Sequence, residues 1–181
     1  MNLWHDIEAG KNAPEIVTAI IEIPHKSRAK YEIDKETGLL SLDRVLFSAM
    51  HYPANYGFIP QTLGDDNDPV DILVISYAEL PPKTLVQARP VGVLHMIDGG
   101  EGDEKIIAVA SDDVTVNHIH SLDQLPQSLL NEIEHFFARY KDLEKKSVEL
   151  KGFSDKTVAQ GVIRTGIENY NKHYQKNSSA A

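Results

Sequence analysis

Cysteine is absent from this 181-residue chain, which excludes disulfides, thiolate zinc sites and a cysteine nucleophile and leaves the redox compartment open. Positive charge is short as well: 18 lysines and arginines face 27 aspartates and glutamates, a formal net charge of −9. Such a field repels polyphosphate backbones and anionic membranes. It still admits a small anionic substrate if some carboxylates hold divalent cations, which reverse the local sign of the field. No apolar run approaches the roughly 20 residues that span a bilayer. The opening MNLWHDIEAG carries acid and lacks the basic and apolar regions of a secretory signal. The expectation is a cytoplasmic protein with neither membrane nor nucleic acid as partner.

What is present is ordinary globular material, 41% hydrophobic and 25% charged, enough for one core and a single domain over residues 1–181. From Ile16 to about Ala110, short runs rich in Val, Ile and Tyr alternate with Gly, Pro, Asn and Asp clusters. Strands are expected at Ile16–Ile23, Lys30–Ile33, Leu39–Leu46, Val70–Ile75, Leu85–Met96 and Lys105–Ala110. Beyond Ser121 the period lengthens. Leu129, Ile133, Phe136 and Tyr140 recur at helical steps behind Pro126. A second helix is expected after Ser154 as N-cap, with Val158, Val162, Ile163, Ile167 and Tyr170 on one side and Gly161 and Gly166 lowering its propensity. Residues 171–181 read as a frayed tail. This order of elements fits a small, nearly closed β-barrel with helices packed outside.

The sharpest local feature is Asp66-Asn67-Asp68-Pro69-Val70-Asp71, three carboxylates in six residues running into the apolar strand Ile72–Ile75. Aspartates in such loops also serve simply as turn formers. Asp71 weighs against that reading, because a carboxylate among apolar neighbours needs a hydrogen-bonding partner or a metal. An EF-hand is excluded by spacing: counting from Asp66, Val70 stands at position five, Asp71 where glycine is required and Tyr77 where the terminal glutamate belongs. Carboxylates at i, i+2 and i+5 suit Mg²⁺, which favours oxygen ligands and keeps several waters.

A second acidic, glycine-rich turn, Asp98 to Lys105, brings Asp98 and Asp103 within reach of the first cluster if the loops meet; taken alone it equally suits a solvated turn. Glu22 ends a strand with almost no polar face, so it faces either a cavity or solvent at an edge. Lys30 and Glu32 share a strand face, as an ion pair or as part of a site. Arg44, Tyr52 and Tyr56 have no evident structural task. Tyr140 also fits the helix's apolar face, and Lys141 its C-terminus.

Taken together, IIEIP, KYEIDKETG, LDR, MHYPANYGFIP, DNDPVDILV, RPVGVLHMID, GDEK and HFFARYKDLE resemble the family I soluble inorganic pyrophosphatases, particularly the short bacterial form, in order and spacing over most of the chain. DNDPVD resembles the family signature. The resemblance implies an α+β fold, an OB-like five-stranded barrel flanked by two C-terminal helices. It implies hydrolysis of inorganic pyrophosphate by direct attack of a water held between two metals, with several Mg²⁺ ions per site and a role in phosphate metabolism. Asp66, Asp71 and Asp103 would hold the activating metals, Asp71 shared between them. Asp98 and Asp103 would take metal arriving with substrate. Glu22 and Glu32 would act through metal-bound water. Asp68 would be the general base, also close to metal through water. Lys30, Arg44, Tyr56, Lys105, Tyr140 and Lys141 would bind the phosphates, and Tyr52 would support the site.

The resemblance also implies a homohexamer, a dimer of trimers. Arg139 stands where some bacterial relatives carry a second histidine, which puts particular intertrimer contacts in question, and His51 stands where an apolar aromatic is common. Two alternatives remain at this point: a metal-dependent phosphohydrolase of nucleotides or polyphosphate, and an OB-fold nucleic-acid-binding module with aromatics on a basic groove.

Overall fold

Strand β1, Val17–Ile23, is buried along nearly its whole length, as its run of β-branched residues requires of a strand covered on both faces. In the computed structural model, which describes residues 1–174, it is followed by β2 (Ala29–Ile33), β3 (Leu40–Val45), β4 (Asn55–Phe58) and β5 (Asp71–Ile75). Then come β6 (Leu85–Asp98), the two-residue β7 (Glu101–Gly102), β8 (Lys105–Ala110), helix α1 (Gln127–Arg139), β9 (Val148–Asp155) and helix α2 (Lys156–Tyr174). No helix among the described residues is long and apolar enough to cross a membrane.

The sheet closes on itself. β1 pairs with β4, β4 with β5, β5 with β8, β8 with β6 and β6 again with β1, a ring of five strands. All these pairings are antiparallel except β5 with β8. The ring is not a clean barrel, because β6 serves two neighbours along one edge: residues 85–88 pair with β1 and residues 92–98 with β9. β2 and β3 form a separate hairpin.

Alternation divides the ring residues between two cores. Leu73, Ile107 and Val109 pack with Ile133, Phe136 and Phe137 of α1. Ile72, Val74, Ile106 and Ala108 pack with Ala159 and Ile163 of α2. β4 meets β1 so closely that a Cβ on Gly57 would lie 1.9 Å from the Ile20 carbonyl oxygen, so only glycine fits there. Asn55, fully buried, accepts from the His25 and Leu80 amides and donates to the Val74 and Ala78 carbonyls, which pins β4 in place.

Six expected strands are present and α1 begins just after Pro126, as the sequence indicates. β4 and β9 were not expected. The N-terminal cap of α2 is Asp155, whose Oδ1 accepts from the Val158 amide at 3.1 Å; Ser154 instead bonds His95 Nε2 through its hydroxyl at 2.9 Å. The buried face of α2 is Ala159, Ile163, Gly166 and Tyr170, while Val158 is exposed. Glycine at 166 is what admits the helix: a Cβ there would lie 2.8 Å from Val70 Cγ2. Residues 171–174 are helical, not frayed; the rest of the expected tail, 175–181, lies outside the described residues.

Candidate active site

The parallel register of β5 and β8 sets Asp71 directly opposite Lys105. Lys105 Nζ lies 2.5 Å from Asp71 Oδ2 and also bonds the Asp103 carboxylate. Its side chain is 3% exposed. Burial works against the ammonium, but Asp71 and Asp103 outweigh it and raise the Lys105 pKa above the ordinary lysine value. The same Nζ sits 5.7 Å from the Tyr56 ring centroid.

The loop before β5 is shaped by its own aspartates. Asp66 Oδ1 accepts the Asp68 amide at 3.0 Å, and Asn67 takes a left-handed φ of 65°, an Asx-type turn that brings both carboxylates forward. Across the opening, the β2–β3 hairpin aligns Lys30 opposite Arg44. Lys30 bonds Glu32 and, at 3.1 Å, Asp43. Burial opposes its charge, yet these two acids raise its pKa. Arg44 is held from the other side by Glu144, Nε to Oε1 at 3.1 Å. Lys141, just beyond the end of α1, bonds Asp98.

These groups wall one polar cavity of about 310 Å³. It receives every residue the sequence nominated for the site except Tyr52, which lies in the core behind it, 5.4 Å from Tyr56 between ring centroids. The walls carry eight carboxylates, Asp34 included, against six lysine or arginine cations, so a polyanionic substrate needs further cations to enter. A larger cavity, about 440 Å³, lies on the other side of Asp66, Asp71 and Asp103 against α2; it holds no lysine or arginine and so offers no cationic side chain to an anion.

Burial leaves several carboxylates short of positive charge. Glu22 is pushed up to about 8 by desolvation, only partly offset by the hydrogen bond its Oε1 accepts from the Ile33 amide at 2.7 Å. Asp103 is pushed up to about 6 by burial despite Lys105, and Asp66 is raised for the same reason. Tyr56 and Tyr140, desolvated and beside carboxylates, are raised far enough to stay neutral phenols and therefore donate hydrogen bonds.

Among the described residues, no three acidic or histidine side chains converge as a ready-made metal site. Lys105 stands between Asp71 and Asp103, Lys141 covers Asp98, and Lys35 covers Asp68. The donors nonetheless suit a hard divalent cation: all are carboxylates, and Asp66 and Asp103 are desolvated and undercompensated. Lys35, Asp43, Glu144 and Lys146 were missed from the sequence. Lys35 and Lys146 line the cavity, while Asp43 and Glu144 brace Arg44. The only available signal was position, since Lys35 falls within KYEIDKETG, Asp43 within LDR and Glu144 closes KDLE.

A closed β-ring carrying a desolvated pocket of carboxylates interleaved with lysine, arginine and tyrosine defines a receptor for a small polyanion accompanied by cations. Comparison narrows the class: the family model described as inorganic pyrophosphatase matches residues 19–171, and the chain belongs to that family. The inorganic pyrophosphatase of Haloferax volcanii is 46% identical over 175 residues, 96% of this chain and 99% of that one. Soluble inorganic pyrophosphatase 2 of Chlamydomonas reinhardtii is 43% identical over 171 residues, 94% of this chain and 89% of that one. The crystal structure of inorganic pyrophosphatase from Thermus thermophilus superimposes with a TM-score of 0.91 at 41% identity, covering 94% of this chain and 99% of that chain.

Proposed function

We propose that this protein hydrolyses inorganic pyrophosphate to two orthophosphates by direct attack of water on phosphorus. The observation that carries the reading is the convergence of Asp66, Asp68, Asp71, Asp98 and Asp103 with Lys30, Arg44, Lys105, Tyr140 and Lys141 around one cavity, on a chain of this family.

Lys30, Arg44, Lys105 and Lys141 grip the phosphate oxygens, each already oriented by a carboxylate partner. Tyr56 and Tyr140, kept neutral by burial, donate hydrogen bonds to the same groups. Tyr52 packs behind Tyr56 and fixes its ring. Asp68, on the exposed rim of the cavity, accepts the proton of the attacking water. Asp66, Asp71, Asp98 and Asp103 are the residues that would hold Mg²⁺, with Glu22 and Glu32 reaching it through water. Once bound, Mg²⁺ would acidify water and offset charge on the phosphoryl and leaving groups.

The nucleic-acid-binding alternative is not favoured, because Tyr52, Tyr56 and Tyr140 are buried and offer no face for stacking. The nucleotide or polyphosphate alternative asks for room that a cavity of about 310 Å³ crowded by fourteen ionisable carboxyl, lysine and arginine side chains does not offer. Self-association as a homohexamer is part of this reading; Leu39, Leu42, Val45 and Phe47 along the hairpin are exposed, surface that a partner copy would cover. The role is removal of pyrophosphate left by biosynthesis in the cytoplasm.

The test of direct attack is a single turnover in ¹⁸O-water. One label should appear among the two phosphates, with no phosphoprotein trapped by acid quench. A trapped phosphoprotein would overturn the reading.

A further inference from the structure

Asp68 does not stand free in the cavity. Its carboxylate is held by Lys35 Nζ, a residue of the β2–β3 turn. That turn is itself fixed: Asp34 Oδ1 accepts from the Thr37 amide and hydroxyl, Gly38 adopts a φ of 67°, and its carbonyl accepts from Lys83.

The second hold on Lys35 comes from the N-terminal segment. Asn2 Nδ2 donates to the Lys35 carbonyl at 2.9 Å, and the Lys35 ammonium lies 4.9 Å from the Trp4 ring centroid. Trp4 is in turn anchored, its indole N–H donating to the buried Thr62 carbonyl at 2.8 Å and its own carbonyl accepting from the Gln61 amide at 2.9 Å. Trp4 and Lys35 both line the active cavity. A lysine that could wave freely in solvent is instead set between an indole face and a carboxylate, two partners that act on one cation together.

We infer that Lys35, seated on Trp4, is a positioning residue that holds the Asp68 carboxylate at the mouth of the active cavity in the orientation from which it takes the proton of the attacking water. The inference rests on the assignment of Asp68 as base. It gives the N-terminal segment a part in catalysis: residues 1–7 form no strand of the ring, yet they fix the position of the lysine that fixes the base.

The test is a double-mutant cycle of Lys35→Met and Asp68→Asn, with Lys35→Arg as the charge-keeping control, read as kcat and KM for pyrophosphate. Lys35→Met should lower kcat by roughly fivefold, the scale of one partly exposed ion pair, and Lys35→Arg should restore most of it. In the Asp68→Asn background, Lys35→Met should have no further effect on kcat, because the lysine acts through the carboxylate. A structural readout accompanies it: Trp4 is the only tryptophan in the chain, so its emission in metal-free protein reports where the Lys35 ammonium sits. Asp68→Asn should shift that emission. An unchanged kcat in Lys35→Met, or an undiminished Lys35→Met effect in the Asp68→Asn background, would overturn the inference. If Asp68→Asn itself leaves kcat unchanged, the assignment of the base fails, whereas the emission shift still reports whether the Trp4–Lys35–Asp68 chain exists.

Discussion

Asp71 and Lys105 face each other across the one parallel pairing of the ring, and their side chains meet at 2.5 Å inside it. Nothing in local sequence announces this pair, since the residues are 34 positions apart and are brought together only by closure of the sheet. It places a buried cation where substrate phosphate and two carboxylates compete for it.

Removing that cation exposes the competition. Lys105→Met leaves Asp71 and Asp103 without their shared partner, and breaking a buried pair from one side costs about 3 kcal/mol or more. The variant should therefore be clearly destabilised in EDTA by thermal melting. Mg²⁺ should recover more stability in the variant than in the parent, because the freed carboxylates can take the metal instead. Equal recovery in both would show that Lys105 does not compete with the metal for these carboxylates.

Glu22 and Asp103 each contribute to the pH dependence of the metal-free protein. Both are pushed up on folding, from ordinary carboxylate values to about 8 and about 6, so the folded state keeps protons that the unfolded chain has released. Their contribution to stability then falls as pH rises from about 4 through 8, the Asp103 part being lost by about 6, whereas His5 and His25, lowered by burial, add stability as pH rises toward 6.5. Melting in EDTA across that window should show the decline, and Glu22→Gln should flatten its upper half. A melting temperature that rises steadily from pH 5 to 8 would contradict the assignment.

Asp68→Asn should fold normally, because the residue is largely exposed. Turnover should fall by roughly 10²- to 10⁴-fold, the contribution of a positioned general base. Steady-state kcat at saturating Mg²⁺ decides it, and an unchanged value removes Asp68 from the chemistry.

Gly57→Ala tests the fold itself. The added Cβ would lie 1.9 Å from the Ile20 carbonyl oxygen, so β1 and β4 must separate, at a cost above about 3 kcal/mol. Loss of soluble folded protein, or a melting temperature lowered by many degrees, is expected. Near-parental melting would mean that the two strands do not pack as described.

Much of this was legible before the structure. DNDPVDILV shows both its acids and its strand because local alternation and turn chemistry write them in the same nine residues. β4 was not legible, because Tyr-Pro-Ala-Asn-Tyr-Gly-Phe reads as a turn, and its Gly57 is required by a strand 37 residues earlier. β9 carries the alternation Val148, Leu150 against Glu149, Lys151, but Gly152 and its polar composition hid it, and its ladder partner among the described residues is the distant β6. The capping role fell to Asp155 because Ser154 is drawn to His95 across the sheet. The site's acids were visible one by one; which lysine neutralises which acid was not, since those pairs depend on register and loop packing.

The measurement that bears most directly on the whole account is phosphate release from pyrophosphate by the purified protein with Mg²⁺, run beside EDTA and beside ATP as substrate. Rapid release from pyrophosphate, abolished by EDTA and nearly absent with ATP, is the predicted result. No release from pyrophosphate by folded protein loaded with Mg²⁺ would contradict it.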